Sequence, residues 1–135
     1  MKIYDTYEEL VEVFPGYPSL FNEGRDVDRI ELQGYGMYAC VTYDWVNPLA
    51  KWIGDKKVLE VMSGVGWLSK ALRDCGTDII ATDSKVSHQY WRECMDAEVT
   101  NIEELDACDA IKKYGKDVSY IILSWPPYDE PDAYN

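Results

Sequence analysis

The strongest constraint on the fold is an apolar run that turns through two glycines. Val58–Val61 is typical of a buried strand, Met62–Gly66 of a tight loop, and Trp67–Asp74 of an amphipathic helix. A second apolar strand, Ile79–Thr82, is followed directly by Asp83. This order predicts a βαβ unit in a parallel sheet. Because parallel strands end at one edge, acids at two strand ends beside an approachable backbone favour an adenosine-containing cofactor.

The remaining segments continue the alternation of helices and strands. Helices are predicted at 5–14 (capped by Asp5 or Thr6), 47–53 and 103–114, with a helical turn at 89–95; strands are predicted at 99–102 and 118–123, a strand or extended loop at 37–43, and irregular structure at 19–34. We therefore predict one α/β domain over residues 1–135. A lead-in at 1–56 precedes a βαβ core at 57–128, in a doubly wound, mostly parallel sheet with helices on both faces.

The overall composition excludes several classes of function. A net charge of −12 argues against nonspecific nucleic-acid binding, because phosphate contacts need Lys or Arg. The spacing of the four cysteines gives no zinc pattern, and a single histidine excludes a His-rich metal site. No signal-peptide pattern opens the sequence, and no apolar run approaches the ~20 residues that span a membrane. We therefore expect a cytoplasmic protein with free thiols, no membrane segment and no metal.

The glycine loop carries a family resemblance. Residues 58–66, Val-Leu-Glu-Val-Met-Ser-Gly-Val-Gly, resemble the first motif of class I S-adenosylmethionine-dependent methyltransferases, with Met62 at the first glycine position. The resemblance implies a Rossmann-like fold and S-adenosylmethionine as cofactor. It further implies that Glu60 and the loop hold the methionine moiety and its ammonium, while Asp83 holds the ribose. The residues predicted to bind cofactor are Glu60, Met62, Ser63, Gly64, Gly66, Trp67, Asp83, Ser84, Asn101 and Ile102.

A second motif follows the fourth predicted strand. Ser124-Trp125-Pro126-Pro127-Tyr128 is similar to the Pro-Pro-Tyr motif of methyltransferases that modify amino groups, and to a Ser/Cys-Trp-Pro-Pro-Tyr motif of uncharacterised methyltransferase-like proteins. Here Trp125 stands directly before Pro126, and an indole cannot accept a hydrogen bond from an amino group. The predicted acceptor-facing residues are Ser124, Pro126, Pro127 and Tyr128, and the methyl acceptor itself stays open.

The resemblance covers residues 57–128 and ends early, since the family's sheet has more strands than the four predicted here. The fold is therefore expected to be truncated after about the fourth strand, as the N-terminal, cofactor-binding half. That strand would be an exposed apolar edge, which proteins normally cover. Three alternatives remain: the chain is a fragment, a homo-oligomer covers the edge, or residues 1–56 fold over it.

Other functional interpretations stay open beside the methyltransferase. One is a catalytically inactive or truncated S-adenosylmethionine-binding module that acts through association. Another is a nicotinamide-cofactor protein, although Ser69 stands where a third glycine would be needed. His88 is either a general base or a polar loop residue. Four aromatics before the motif either close over the cofactor or belong to the core and surface: Tyr35, Tyr38, Tyr43 and Trp45.

Overall fold

The computed structural model describes residues 1–17, 26–85, 98–124 and 126. Its elements in chain order are α1 (Tyr7–Val13), α2 (Arg29–Gly34), α3 (Tyr43–Ile53), β1 (Lys57–Val61), α4 (Trp67–Asp74), β2 (Asp78–Asp83), β3 (Glu103–Glu104), α5 (Ala107–Tyr114) and β4 (Tyr120–Leu123). Within these ranges no helix combines the length and the apolar character that crossing a membrane requires.

The four described strands form one parallel sheet in the order β3-β2-β1-β4. β1 pairs with β2 through Leu59 and Ile80, and with β4 through Val61 and Leu123. The chain moves from β1 outward to β2 and β3, and then crosses to the other side of β1 to form β4. The predicted α/β class with a parallel sheet is confirmed. The strand order reverses beside β1, and in open parallel sheets ligands bind at the carboxyl ends of strands at such a point.

Side chains of β1 alternate between two apolar clusters. Val58 is buried with residues of α3 and α4, including Val46 and Leu72. Leu59 and Val61 point the other way and are buried with Ala107 and Ala110 of α5. This alternation follows from the period of two in a strand. Helices on opposite sides of β1 therefore bury both of its faces, which explains why the strand is an almost continuous apolar run.

Four of the predicted helices are present, with bounds that differ in part from the predicted ones. α1 begins after Thr6, whose hydroxyl accepts a hydrogen bond from the amide of Glu9, so Thr6 and not Asp5 is the cap. α4 has the predicted bounds, and α5 begins later than predicted, after Asp106, whose carboxylate accepts from the amide of Asp109. α3 ends before Gly54 as predicted. Local capping chemistry thus sets these boundaries.

The predicted start of α3 at Asn47 is wrong, because the helix begins at Tyr43. Thr42 forms a parallel bridge with Tyr4, and its hydroxyl donates to the carboxylate of Asp44 at 2.5 Å. Pro48 lies inside the helix, where it cannot donate a hydrogen bond to the carbonyl of exposed Asp44. A contact with the N-terminal segment, invisible in the local pattern, therefore sets the helix start.

Two further predictions are wrong. Residues 29–34 form α2 rather than irregular structure, since the Asp28 carboxylate caps the amide of Glu31. The third strand is Glu103–Glu104, not 99–102; its residues pair with Thr82 and Asp83. Residues 99–102 thus precede the strand instead of forming it. The helical turn predicted at 89–95 lies outside the described residues.

Candidate cofactor site

The loop Met62–Gly66 leaves β1 at the carboxyl edge of the sheet and leads into α4. Its φ angles are 54° at Met62, 60° at Gly64 and 95° at Gly66, all in the left-handed region that favours glycine. Met62 thus adopts a backbone conformation suited to glycine at the position where the resembling family has one. A non-glycine residue in this region costs of order 1 kcal/mol, so the surrounding contacts must hold it there.

The two glycines of the loop have opposite surroundings. A Cβ at Gly64 would meet no atom within 4 Å, so this part of the backbone faces open space. A Cβ at Gly66 would lie 2.8 Å from side-chain carbons of Ile102 and Thr100. Gly66 therefore permits close packing of the 100–102 segment, while Gly64 presents an approachable backbone to a ligand.

The carboxylate of Asp83 joins the end of β2 to the glycine loop. Its two oxygens accept hydrogen bonds from the amide of Gly64 and the amide of Lys85, each at 2.8 Å. A carboxylate has about four acceptor positions, so two further donors can still bind it. The sequence-predicted pair of loop and acid is therefore in direct contact, at the edge where the strand order reverses.

A second set of hydrogen bonds fixes the ends of β1 and β2 beneath the loop. Ser63 donates to the carbonyl of Thr82 from both its amide and its hydroxyl, each at 3.0 Å. The hydroxyl of Thr82 donates to the carbonyl of Glu60 at 3.1 Å. These bonds make Ser63 a support of the loop in this structure, with its hydroxyl turned toward the sheet.

Glu60 lies in the protein interior rather than at the open face of the loop. Its side chain is 2% exposed and accepts a hydrogen bond from the hydroxyl of Ser69 on α4. Burial raises the pKa of Glu60 to about 7, while the Ser69 hydrogen bond and the charge of Arg73 oppose this rise. The carboxyl therefore acts on the site through the interior and does not line its surface.

The segment before β3 forms a wall beside the loop. The amide of Val99 donates to the carbonyl of Val65 at 2.9 Å. Arg73 of α4 donates to the hydroxyl of Thr100 at 2.7 Å and to the carbonyl of Asn101 at 2.8 Å. Asn101 is exposed and Ile102 buried, so only Asn101 presents its side chain to solvent. Arg73 was missed by sequence reasoning, because an arginine late in a helix is ordinarily a C-terminal charge.

Residues of the lead-in pack against the other side of the loop. Trp67 is buried and donates from its indole to the carbonyl of Tyr35 at 2.8 Å. A Cβ at Gly36 would lie 2.5 Å from Val65, so this segment lies tightly on the loop. Tyr43, in contrast, bonds Asp74 at the far end of α4, which begins at the loop and leads away from it. Tyr35 and Trp67 therefore lie beside the loop, whereas Tyr43 lies away from it.

The acceptor motif is described in part. Ser124 follows Leu123, which pairs with Val61, so Ser124 and Met62 leave the sheet at the same edge. Ser124, Pro126 and Ser84 are half-buried. His88, Trp125, Pro127 and Tyr128 lie outside the described residues. The structure thus brings the start of the second motif to the edge that carries the first.

Away from this edge, the described residues show no cluster of metal ligands, but they do line an open groove. No group of three or more potential metal-ligating side chains occurs within the described ranges. An open groove of about 680 Å³ lies between α3 and the end of α4, lined by Asn47, Pro48, Ala50, Lys51 and Cys75.

Comparison with protein-family models, curated proteins and solved structures found no match. The case for a function therefore depends on the residues themselves.

Proposed function

We propose that this chain binds S-adenosylmethionine at the carboxyl edge of β1 and β2, in a Rossmann-like domain of the class I methyltransferase type. The observation that carries the proposal is the bond between Asp83 and the amide of Gly64, with Gly64 facing open space. This arrangement supplies an approachable backbone and a carboxylate within one small site. The strand order, which reverses beside β1, supports the same location.

The residues at this edge are suited to bind the ribose of an adenosine group. Asp83 retains acceptor capacity for two hydroxyls after its bonds to Gly64 and Lys85. The open backbone at Gly64 leaves room for the ligand to approach. Glu60 does not fit a direct contact with the ligand's ammonium in this conformation, because its side chain is buried against Ser69. We therefore assign ribose binding to Asp83 and a supporting role to Glu60.

Methyl transfer demands little of the protein's side chains. S-adenosylmethionine, when bound, supplies an electrophilic methyl group on a positive sulfur. The protein must hold the acceptor in line with that group and keep water away. Ser124, at the end of β4, and the proline-rich segment after it are the residues we propose to face the acceptor.

Three described cysteines, Cys40, Cys75 and Cys108, are free thiols, which supports a location in a reducing compartment such as the cytoplasm.

Calorimetric titration with S-adenosylmethionine and S-adenosylhomocysteine tests the proposal. We expect Asp83→Ala to weaken binding roughly 10- to 100-fold, since bonds to a charged group contribute about 1.5–3 kcal/mol. Asp83→Asn, which keeps one acceptor oxygen for Gly64, separates ligand contact from loop support. Asp78→Ala, an exposed carboxylate at the opposite end of β2, is the matched control. An affinity that does not change in Asp83→Ala, or no binding of either compound by the folded chain, would refute the site.

Two alternative functions are separated by further measurements. An inactive binding module would bind the cofactor but transfer no labelled methyl group to any component of a cell extract. A nicotinamide-cofactor protein would bind NAD in the same titration. Ser69 argues against the latter, because its hydroxyl is buried against Glu60 where the dinucleotide motif needs glycine.

A further inference from the structure

Among the described strands, β4 lies at one edge of the sheet, and it carries no charged side chain. It pairs with β1 on one side, and no other described strand pairs with it. Residues 118–124 contain no charged side chain, in a chain of net charge −12. Two large side chains of the strand are strongly exposed, Ile121 at 47% and Leu123 at 43%. Edge strands are normally protected by charge, proline or a covering element, and β4 itself has no charged or proline residue.

The apolar surface continues on the other face of β4. Trp52 of α3 is 67% exposed, and its ring lies 4.7 Å from the ring of Tyr120, measured between centroids. Tyr120 and Ile122 point toward this face, whereas Ile121 and Leu123 point toward the face that carries α5. Exposed apolar groups thus flank the free edge on both faces, as expected where a sheet continues into another strand.

We propose that β4 pairs antiparallel with β4 of a second copy of this chain across a two-fold axis, which joins two four-stranded sheets. The sequence of the strand is self-complementary in this arrangement. If the axis passes beside Ile122, then Ile121 of each copy lies directly opposite Leu123 of the other, on one face. The two most exposed apolar residues of the strand therefore cover each other twice.

Charge also favours a second copy at this edge. Two molecules of charge −12 repel each other, and this repulsion is smallest for a symmetric contact surface that lacks carboxylates. The uncharged stretch at 118–124 meets that requirement. The contact is therefore apolar and hydrogen-bonded, and the opposing force is long-range repulsion. This predicts that added salt strengthens the dimer, because salt screens the repulsion.

Sedimentation velocity over a concentration series tests the proposal. We expect a species of about twice 15.5 kDa that becomes more abundant with protein concentration and with salt. Ile121→Glu should weaken the dimer at least about tenfold, since each charge would be buried against the partner's Leu123. Ile30→Glu, at an 81% exposed position on α2, is the matched control. A monomer at all concentrations and salt levels, or equal effects of both variants, would overturn the proposal.

Cysteine cross-linking tests the register independently of affinity. In a background with the native cysteines replaced by serine, a mixture of Ile121→Cys and Leu123→Cys chains should form an intermolecular disulfide, because directly opposite residues lie about 4.5–5.5 Å apart. Either variant alone should cross-link far less, since identical positions are not opposite each other. Equal cross-linking in all three samples would refute the register, and none in any sample would refute the pairing. Circular dichroism confirms that each variant is folded.

Discussion

Replacement of Glu60 by glutamine gives the sharpest test of the interior of the site. The side chain is 2% exposed, and burial raises its pKa from 4.5 to about 7. A carboxyl whose pKa is higher in the folded than in the unfolded protein stabilises the fold fully below the unfolded pKa and loses that contribution as pH rises through the folded pKa. Glutamine keeps the oxygen that accepts from Ser69 and cannot ionise.

The magnitude follows from the difference in pKa. The rise in the pKa from 4.5 to about 7 corresponds to roughly 3 kcal/mol, at about 1.4 kcal/mol for each tenfold change in proton affinity. The glutamine variant should therefore gain about 3 kcal/mol over the wild type as pH rises from about 4.5 to 9, with most of the change complete by about pH 8. Any constant offset between the two proteins reports the different packing of amide and carboxylic acid.

Urea denaturation, followed by circular dichroism across this pH range, measures the difference. Glu104→Gln removes an exposed carboxylate from β3 and controls for the change in net charge. Ser69→Ala removes the hydrogen bond that holds the pKa of Glu60 down, so it should move the loss of stability to higher pH. A difference between Glu60→Gln and wild type that stays flat with pH would refute the buried-charge argument.

Two matched pairs test the packing around the site. Thr77→Val should stabilise the fold by up to about 1 kcal/mol, because the Thr77 hydroxyl is buried and has no hydrogen-bond partner among the described residues. Thr82→Val should instead cost about 1–3 kcal/mol, since that hydroxyl bonds a main-chain carbonyl of β1; thermal unfolding compares the two, and equal effects would contradict the argument. Gly36→Ala should destabilise by about 1–3 kcal/mol, because the new Cβ would lie 2.5 Å from Val65 at a φ of +74°. Gly34→Ala is the control, because a Cβ added there would meet no atom within 4 Å. Similar urea midpoints for the two variants would show that the lead-in does not pack tightly on the loop.

Local sequence determined the central βαβ unit because each of its signals acts within a few residues. The apolar run of the buried strand, the positive φ at Gly64 and Gly66, and the apolar stripe of α4 are local requirements. The same locality explains why the cap of α1 is one of the two predicted residues, Thr6, and why a glycine ends α3. The adjacency of Asp83 to the loop was also predictable, since the end of a parallel strand fixes where its next residue lies.

Tertiary contacts decided what the local pattern could not encode. α3 starts at Tyr43 because Thr42 meets Tyr4, and the third strand forms at Glu103–Glu104 because that register pairs with the end of β2. The inward orientation of Glu60 depends on the hydrogen bond from Ser69, which lies on the neighbouring helix α4. In the sequence, a carboxylate at the end of an apolar strand gives the same pattern whether its side chain faces solvent or the core. The sequence by itself determined which residues meet at the sheet edge, and only packing decided which of their side chains are buried and which are accessible there.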